Sequence, residues 1–313
     1  MPPKSASHLD ELSGRRQKEV VKEQVPANAL EKLLPVLVHI QANLDEDLSL
    51  DAVAKRVRLS SFHFHRLFRS TIGETLKQYT QRLRLERAAN RLVIHDTTIL
   101  EVALDSGFQS HETFSREFKR RFQVTPRGYR EWARGKLAQN SVSTLPLDDT
   151  YDDFELSETK VTRMAQLHFA FIRHVGPYEA VPDTLWHRLA EWARARRLPI
   201  DLIFLGIAHD APGITPPDKL RFDAAIVVPE AFAADRSIGH QVLGPAEFAI
   251  TTHIGHYRTL PQAYGTIVNR VGRLKGYSFG GLPSIEVYRT TRVDANHEMN
   301  HTEIYIPVSR KKN

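Results

Sequence analysis

Two short segments of the chain carry arginine at matching positions, each within a stretch typical of an amphipathic helix. Arg66 lies in SFHFHRLFRSTI, and Arg116 lies in HETFSREFKRRF. A guanidinium can donate two parallel hydrogen bonds to guanine O6 and N7, and the Glu112 carboxylate can accept from cytosine N4. Phe62 can pack on a thymine methyl group. These residue types therefore suggest recognition of base edges in double-stranded DNA.

The first of these segments completes a helix-turn-helix pattern. Ser49 is expected to cap one helix and Ser60 the next, because a serine side chain accepts from the free N–H groups of a helix start. The turn falls at Arg58, where a left-handed residue is wanted and a non-glycine residue costs about 1 kcal/mol. The predicted inner faces of the two helices carry Leu50, Val53, Ala54, Val57, Phe64, Leu67 and Phe68.

The second segment repeats this pattern along residues 97–126. Gly107 supplies the left-handed turn, and Ser110 is expected to cap the helix that carries Arg116. The small Ala103 lies where the two helices cross, as Ala54 does in the first unit. The predicted inner face of this unit carries Ile99, Val102, Ala103, Phe114 and Phe118.

A predicted amphipathic helix over residues 75–94 joins the two units, with Leu76, Tyr79, Leu83 and Leu92 available for the core. Such a helix is roughly 28 Å long. Two recognition helices held that far apart can enter successive major grooves, which are about 34 Å apart on one face of B-DNA. We therefore expect residues 30–136 to bind DNA as a monomer.

Charge is distributed unevenly along the chain. The formal net charge is +6, and residues 30–136 hold 19 Lys and Arg against 13 Asp and Glu. The basic excess lies in the half that carries the two units, so a polyanionic partner is expected there. The basic side chains that suit phosphate contacts are Arg69, Lys77, Lys119, Arg120, Arg121 and Arg127.

The composition excludes several classes of protein. The chain contains no cysteine, which excludes disulfides, thiolate metal ligands and cysteine nucleophiles, and suits a reducing cytoplasm. No apolar run approaches the roughly 18 residues that a membrane span needs, and no hydrophobic signal segment begins the chain. We expect a cytoplasmic protein with no cofactor, no bound metal and no membrane partner.

The 313 residues have room for two domains. Residues 1–29 mix charges with Pro, Ser and Gly and are expected to form a mobile arm, and residues 137–158 are expected to be a linker. Residues 30–136 are predicted to be an all-α double helix-turn-helix domain. Residues 159–310 alternate strand-like runs with two helical segments and are predicted to be an α+β domain.

The segment LRLERAANRL at 83–92 and the run from Ile99 to Arg130 resemble the AraC/XylS family of transcription activators. The resemblance implies a sequence-specific DNA-binding regulator rather than an enzyme, with RNA polymerase as a protein partner. Arg58 departs from the family's usual turn glycine, which affects stability and docking angle. The resemblance assigns base reading to Phe62, His63, His65, Arg66, His111, Glu112 and Arg116.

The second half contains an internal repeat. RHVGPYEAVPDTLWHRLAEWARARRL at 173–198 aligns with THIGHYRTLPQAYGTIVNRVGRLKGY at 252–277. Each copy follows an apolar run and precedes two more strand-like runs, so a strand–helix–strand–strand unit occurs twice. Two pseudo-symmetric units side by side predict a curved sheet backed by two helices, with a cleft between the copies that suits a small ligand.

The runs GPYEAVP, GHYRTLPQAY and SIEVY followed by TEIYIPV resemble the GyrI-like effector-binding domain of multidrug-sensing regulators. In that family a pocket glutamate accepts cationic or polar ligands among aromatic side chains, and Glu286 matches it here. Carboxylates and aromatic faces both attract cations. The wall residues expected for a small effector, which the resemblance suggests is a cationic aromatic, are Tyr178, Trp186, Trp192, Tyr257, Tyr264 and Tyr288.

The second half also carries residues that suit two other kinds of chemistry. Some stand-alone GyrI-like proteins hydrolyse reactive small molecules, and Glu286 with Glu179 would be the carboxylate pair for such a reaction. The run HEMNH at 297–301 fits the H-E-x-x-H zinc pattern. It lies between two predicted strands, however, with too few residues for the required helix. Fusion to a DNA-reading domain favours sensing over catalysis.

Overall fold

The structure is a computed structural model that describes residues 29–94, 97–138, 154–198, 201–232, 238–289 and 300–311. The expected mobile arm 1–29 lies outside these ranges except for its last residue, which begins the first helix. Among the described residues, none of the helices is long and apolar enough to span a membrane.

The first half is entirely helical where it is described. Its helices are α1 Ala29–Ala42, α2 Leu50–Arg56, α3 Ser61–Ile72, α4 Leu76–Ile94, α5 Ile99–Asp105, α6 His111–Phe122 and α7 Pro126–Ala138. Helices α2 and α3 form the first helix-turn-helix unit, α5 and α6 form the second, and α4 connects them. The two units have separate cores, because Phe64 and Phe68 pack with α1 while Phe114 and Phe118 pack with α7.

The predicted caps and turns are confirmed. The hydroxyl of Ser60 accepts from the backbone N–H of His63 at 3.3 Å, and that of Ser110 accepts from Thr113 at 3.2 Å. Gly107 adopts a left-handed φ of 86°, and Arg58 adopts a left-handed φ of 54° despite its side chain. Ser49 likewise caps α2, and Thr98 and Glu101 form a reciprocal capping box on α5 that was not foreseen.

The second half forms a ten-stranded sheet and two helices. These are β1 Glu155–Leu156, β2 Lys160–Met164, β3 Leu167–Val175, α8 Thr184–Ala195, β4 Phe204–Ala208, β5 Arg221–Val228, β6 Gly239–Leu243, β7 Ala246–Gly255, α9 Leu260–Gly272, β8 Tyr277–Phe279, β9 Ser284–Tyr288 and β10 Asn300–Arg310. The strand order is β1-β7-β10-β9-β4-β5-β3-β6, with β2 on β7 and β8 on β10. The junction β9–β4 therefore lies between strands from the two copies of the sequence repeat.

The expected linker 137–158 is shorter than the sequence suggested. Helix α7 continues to Ala138, and β1 at Glu155–Leu156 pairs with the end of β7. Phe154 also stacks against the ring of His253, at 5.5 Å between ring centroids. The last residues of the expected linker therefore belong to the second domain, because pairing with β7 satisfies their backbone groups and Phe154 covers a buried ring.

Helices cover both faces of the central sheet, although the sequence predicted helices on one face only. Alternate residues of a strand point to opposite faces. In β3, Ala170 and Ile172 pack under α8, whereas Phe169 and Phe171 pack on the other face with Leu34 of α1. Helix α1 therefore has two apolar sides: one closes the core of the first unit, and the other covers the sheet.

A buried polar chain joins the two domains at this contact. Arg173 donates two hydrogen bonds to the Asp223 carboxylate, at 2.6 and 2.7 Å, and both side chains are almost fully buried. The same guanidinium donates to Gln41 of α1 at 2.9 Å, and Gln41 donates to the Tyr79 hydroxyl of α4 at 3.2 Å. This geometry fixes α1 and α4 against the back of the sheet.

Candidate nucleic-acid interface and ligand pocket

The outward side of α3 presents the side chains that were expected to read bases. The Phe62 side chain is 67% exposed, and the Arg66 guanidinium lies 6.0 Å from the centre of its ring. His63 is exposed and its Nδ1 lies 2.9 Å from the Ser60 hydroxyl, while His65 is half-buried. The buried phenylalanines of α3 leave one helix side free for a DNA groove, and these residues occupy it.

Helix α6 presents an equivalent side. The Arg116 side chain is 72% exposed, and its Nε lies 3.6 Å from Glu117. His111 and Glu112 are exposed in the first turn, where the helix N-terminus and the Ser110 hydroxyl lower the pKa of Glu112 through hydrogen bonds. The Glu112 carboxylate is therefore charged and can accept hydrogen bonds.

The expected phosphate-contacting residues fall into two groups. Arg69, Lys77 and Lys119 are exposed, and Arg127 is exposed while it forms an (i, i+4) pair with Glu131. Arg120 and Arg121 instead contact carboxylates within the domain, Glu117 at 2.5 Å and Glu86 at 3.7 Å respectively. We therefore expect the strongest phosphate contacts from Arg69, Lys77 and Lys119, because the charges of Arg120, Arg121 and Arg127 are partly compensated by nearby carboxylates.

Two carboxylates that the sequence analysis missed organise this domain. Glu117 of α6 accepts from the Gln81 amide of α4 at 2.5 Å. Glu86 of α4 is 4% exposed and pairs with Arg82 at 3.2 Å. Acidic residues at inward positions of helices that were predicted to be amphipathic would have been the signal for both.

Glu286 lies in the middle of the sheet, on the side that carries α8 and α9. It is 8% exposed, and its two carboxylate oxygens accept hydrogen bonds from the hydroxyls of Tyr264 and Tyr288. Tyr264 comes from α9 and Tyr288 from β9, so the second copy of the repeat supplies both donors. Burial and the neighbouring Glu286 charge raise the pKa of Tyr264, which stays protonated and donates.

Aromatic rings surround this carboxylate. Trp186 of α8 and Tyr257 meet the Tyr288 ring edge-on, at 5.3 and 5.7 Å between centroids. Tyr178 packs on the same cluster as Trp186 and Tyr288. Burial first, and then the charges of Asp210 and Glu286, raise the pKa of Tyr178. Of the expected residues, Tyr264 and Tyr288 contact Glu286 directly, and Tyr178, Trp186 and Tyr257 belong to the aromatic cluster that includes Tyr288.

Two residues that the sequence analysis did not single out complete the floor. The ring of Phe222 stacks near Tyr178 at 5.8 Å and near Trp186 at 6.3 Å. Gly206 of β4 lies beneath them, where an added Cβ would come within 2.4 Å of the Tyr288 hydroxyl and 2.6 Å of Phe222. The glycine therefore leaves the space that these two rings occupy.

Trp192 lies elsewhere. Its ring packs on Phe232 at 4.9 Å, and the Arg196 guanidinium lies 4.2 Å above it. Phe232 in turn contacts His240 of β6, which is four strands from β9. Neighbouring strands are about 4.8 Å apart. Trp192 therefore lies at the β6 side of the aromatic cluster rather than beside Glu286.

The geometry gives little support to the two alternatives, hydrolysis by a carboxylate pair and a zinc site at HEMNH. Glu179 is exposed on the turn 178–180, whereas Glu286 is buried and held by tyrosines. Residues 297–299 of HEMNH lie outside the described residues, and Asn300 and His301 begin β10. Within the described ranges, no three His, Asp or Glu side chains are grouped to hold a metal ion.

The fold and site define a class: a two-domain protein with paired helix-turn-helix units and a sheet domain around a buried carboxylate. Two family models match the chain: a helix-turn-helix domain over residues 53–131 and a GyrI-like small molecule binding domain over residues 157–309. The chain belongs to the AraC/XylS family of transcription regulators and carries a GyrI-like domain.

Individual relatives match the first half. The transposon Tn10 TetD protein of Escherichia coli is 44% identical over 102 residues, 33% of this chain and 72% of TetD. The transcriptional regulator Rob of Salmonella typhimurium is 37% identical over 101 residues, 31% of this chain but only 35% of Rob. A solved transcriptional regulator with an AraC-type DNA-binding domain, from Chromobacterium violaceum, is 33% identical, with a TM-score of 0.32, and the match covers 34% of this chain and 96% of that one.

Proposed function

We propose that this chain is a sequence-specific DNA-binding transcription regulator that inserts α3 and α6 into two successive major grooves. The observation that carries the proposal is the pair of capped helices whose phenylalanines are buried while Arg66 and Arg116 face outward. In an activator of this family, the protein partner at the promoter would be RNA polymerase.

We propose further that a small cationic aromatic effector binds at Glu286 and modulates that activity. Support comes from a buried carboxylate within a ring of aromatic side chains at the junction of the two repeat copies. A cation there gains charge attraction and ring contacts together. The pseudo-twofold arrangement of the two strand–helix–strand–strand copies is part of this proposal.

In vitro selection from a random duplex library with the full chain tests the DNA-binding proposal. We expect enrichment of one sequence and a footprint that spans two recognition sites about one helical turn apart. Affinity should fall as salt rises, by about 0.9 in the log–log slope for each phosphate contact. No enrichment, a footprint shorter than one turn or salt-independent binding would reject the proposal.

A further inference from the structure

One loop of the second domain contacts both DNA-reading units. The loop at 209–220 connects β4 to β5 and is called the coupling loop below. Its Lys219 ammonium donates to the backbone oxygen of Ile72, the last residue of α3, at 3.2 Å. Its Ile214 packs on the core of the second unit, which includes Leu85 and Phe114. The loop thus lies on the ends and backs of the helices that carry the base-reading side chains.

The base of the coupling loop is held by a tyrosine of the pocket. The Tyr178 hydroxyl donates to the backbone oxygen of Asp210 at 2.7 Å and accepts from the Asp210 N–H at 3.1 Å. The Asp210 carboxylate accepts from Arg221 Nε at 2.9 Å, which closes the loop at its other end. Tyr178, a member of the aromatic cluster around Tyr288, thus shares with Arg221 the task of holding the start of the loop.

The charges of Asp210 and Arg221 at the base of the loop also act on α4, the helix that connects the two units. Burial raises the pKa of Glu86 in α4, the positive Arg82 opposes that shift, and Asp210 and Arg221 act on the same carboxylate from the second domain. Glu86 is paired with Arg121 of α6 at 3.7 Å, and Arg82 is paired with Glu74 at 3.0 Å. A displacement of the loop base therefore changes the charges that act on Glu86, a carboxylate that α4 pairs with Arg121 of the second recognition helix.

The second domain leaves the DNA-facing side chains uncovered. Phe62, Arg66 and Arg116 are exposed in the full chain, with the coupling loop in place. Among the described residues, these side chains are not covered by the second domain, so a signal from the Glu286 site can act through the contacts that join the domains. These are the coupling loop on the helix ends and the chain from Arg173 through Gln41 to Tyr79.

We propose that the coupling loop transmits the state of the Glu286 pocket to both helix-turn-helix units, with Tyr178 as the positioning residue. This inference rests on the proposed effector site. A cation that approaches Glu286 has to displace the hydroxyls of Tyr264 and Tyr288. Tyr178 packs on the cluster that contains Tyr288, so repacking of these rings favours a different position of Tyr178. Only such a differential contact lets a ligand shift the balance between two arrangements. Movement of Tyr178 releases Asp210 and, through the loop, Ile72 and α4.

The test compares two tyrosine-to-phenylalanine variants of the full chain. Tyr178→Phe removes only the hydroxyl that holds Asp210. Tyr305→Phe is the matched control, because its hydroxyl donates to Glu303 of the same strand and not to the coupling loop. We expect Tyr178→Phe to weaken binding to the in vitro selected duplex by about fivefold or more. Hydrogen exchange of the amides at 72–86 should also become faster, and Tyr305→Phe should change neither.

Lys219→Met supplies a second, surface variant that leaves the pocket unchanged. If the coupling loop transmits the signal, Tyr178→Phe and Lys219→Met disturb the same connection. The fold-loss in DNA affinity of the double variant should then be smaller than the product of the two single fold-losses. Independent, multiplying losses would overturn the proposal. So would a Tyr178→Phe protein that matches Tyr305→Phe in both DNA affinity and hydrogen exchange.

These comparisons need no ligand, so they separate the coupling proposal from the effector proposal. A further arm adds tetraphenylphosphonium at a concentration at which calorimetry shows it bound. The wild-type affinity for DNA should then change at least threefold, and that of Tyr178→Phe should stay within twofold of its ligand-free value. If calorimetry detects no bound cation, the proposed effector site is rejected. The ligand-free comparisons of the variants then still decide whether the coupling loop affects DNA binding. An equal response of both proteins would overturn the role of Tyr178.

Discussion

Specificity at the residue scale depends on which side chains reach bases and which reach phosphates. Arg66 and Arg116 occupy corresponding outward positions of α3 and α6, and Lys119 lies one turn further along α6. An arginine can contact a guanine edge through two parallel hydrogen bonds, whereas an ammonium at the helix end acts as a point charge on a phosphate. The two kinds of contact have distinct signatures across a set of DNA sequences.

We predict that Arg66→Ala and Arg116→Ala each relax the preference for one base pair and cost about 1–3 kcal/mol of binding free energy on the selected duplex. Lys119→Ala should weaken all sequences about equally. The measurement is affinity against a panel of single-base variants of the duplex. A uniform loss for Arg66→Ala would reassign this residue to the DNA backbone.

In the pocket, charge is the property that distinguishes Glu286 from an isosteric amide. We predict that Glu286→Gln removes most of the affinity for tetraphenylphosphonium, because the amide keeps the shape and loses the negative charge. Calorimetric titration measures this loss. Glu303→Gln is the control, since Glu303 pairs with Arg289 at 2.9 Å on the other face of the sheet.

Tetraphenylborate provides the matched anionic probe, with nearly the same shape and the opposite charge. The wild-type pocket should prefer the cation. Equal affinity of wild type and Glu286→Gln for the cation, or a wild-type preference for the anion, would show that another group determines recognition.

At the scale of the elements, each helix-turn-helix unit needs a left-handed residue in its turn, and the two units use different residue types there. Gly107 and Arg58 both adopt left-handed backbone conformations. Around Gly107 the space is closed, since an added Cβ would come within 2.3 Å of the Leu44 oxygen and 2.7 Å of Arg84. Arg84 itself donates to that oxygen at 2.7 Å, so this turn also ties α4 to the end of α1.

We predict that Gly107→Ala lowers the free energy of unfolding by about 2–3 kcal/mol, because it adds backbone strain and a clash. Arg58→Gly should raise the free energy of unfolding by about 0.5–1 kcal/mol, since glycine adopts this conformation without strain. Urea unfolding followed by circular dichroism measures both.

Gly135 is the control for the glycine substitution. It lies in α7 with open space around it, so Gly135→Ala should stabilise the helix by about 0.5–1 kcal/mol. If Gly107→Ala were as stable as Gly135→Ala, the left-handed turn of the second unit would be disproved.

At the scale of the whole molecule, buried titratable groups make the stability depend on pH. His253 of β7 is fully buried, and its Nε2 lies 2.7 Å from the Thr259 hydroxyl. That hydroxyl donates to His256 O at 2.8 Å, so it accepts from His253 and leaves Nδ1 as the unprotonated nitrogen. Burial lowers the pKa of His253 to about 4.

We predict that the free energy of unfolding falls as pH decreases from about 6.5 to about 4, because the unfolded chain takes up a proton on His253 that the folded chain resists. The contribution is at most about 1.4 kcal/mol per pH unit. Burial likewise lowers the pKa of His209, which adds a loss in the same direction.

Denaturant unfolding at several pH values, compared between wild type and His253→Asn, measures this slope. The variant keeps an amide donor for Thr259 but takes up no proton, so its stability should depend less on pH. The comparison is of slopes, which a uniform loss of stability in the variant leaves unchanged. Equal slopes in the two proteins would contradict the assignment.

The sequence by itself determined the local structure and indicated most residues of the two candidate sites. The capping serines, the left-handed turn at Gly107 and the period of the buried phenylalanines depend on neighbours within one or two turns, so they can be read from the sequence. The exposed positions of Arg66 and Arg116 follow from the same periodicity. The repeat in the second half likewise indicated Glu286 and most of its aromatic neighbours.

Only the tertiary structure decided how the halves are joined. The polar Gln41 and the apolar Leu34 of α1 gave no local sign that they face a sheet more than 120 residues away, since either is ordinary on a helix surface. Trp192 was misplaced for the same reason, because helix periodicity gives its side but not the strand beneath it. Such contacts depend on how separate elements pack, and the spacing of residues along one element does not encode that packing.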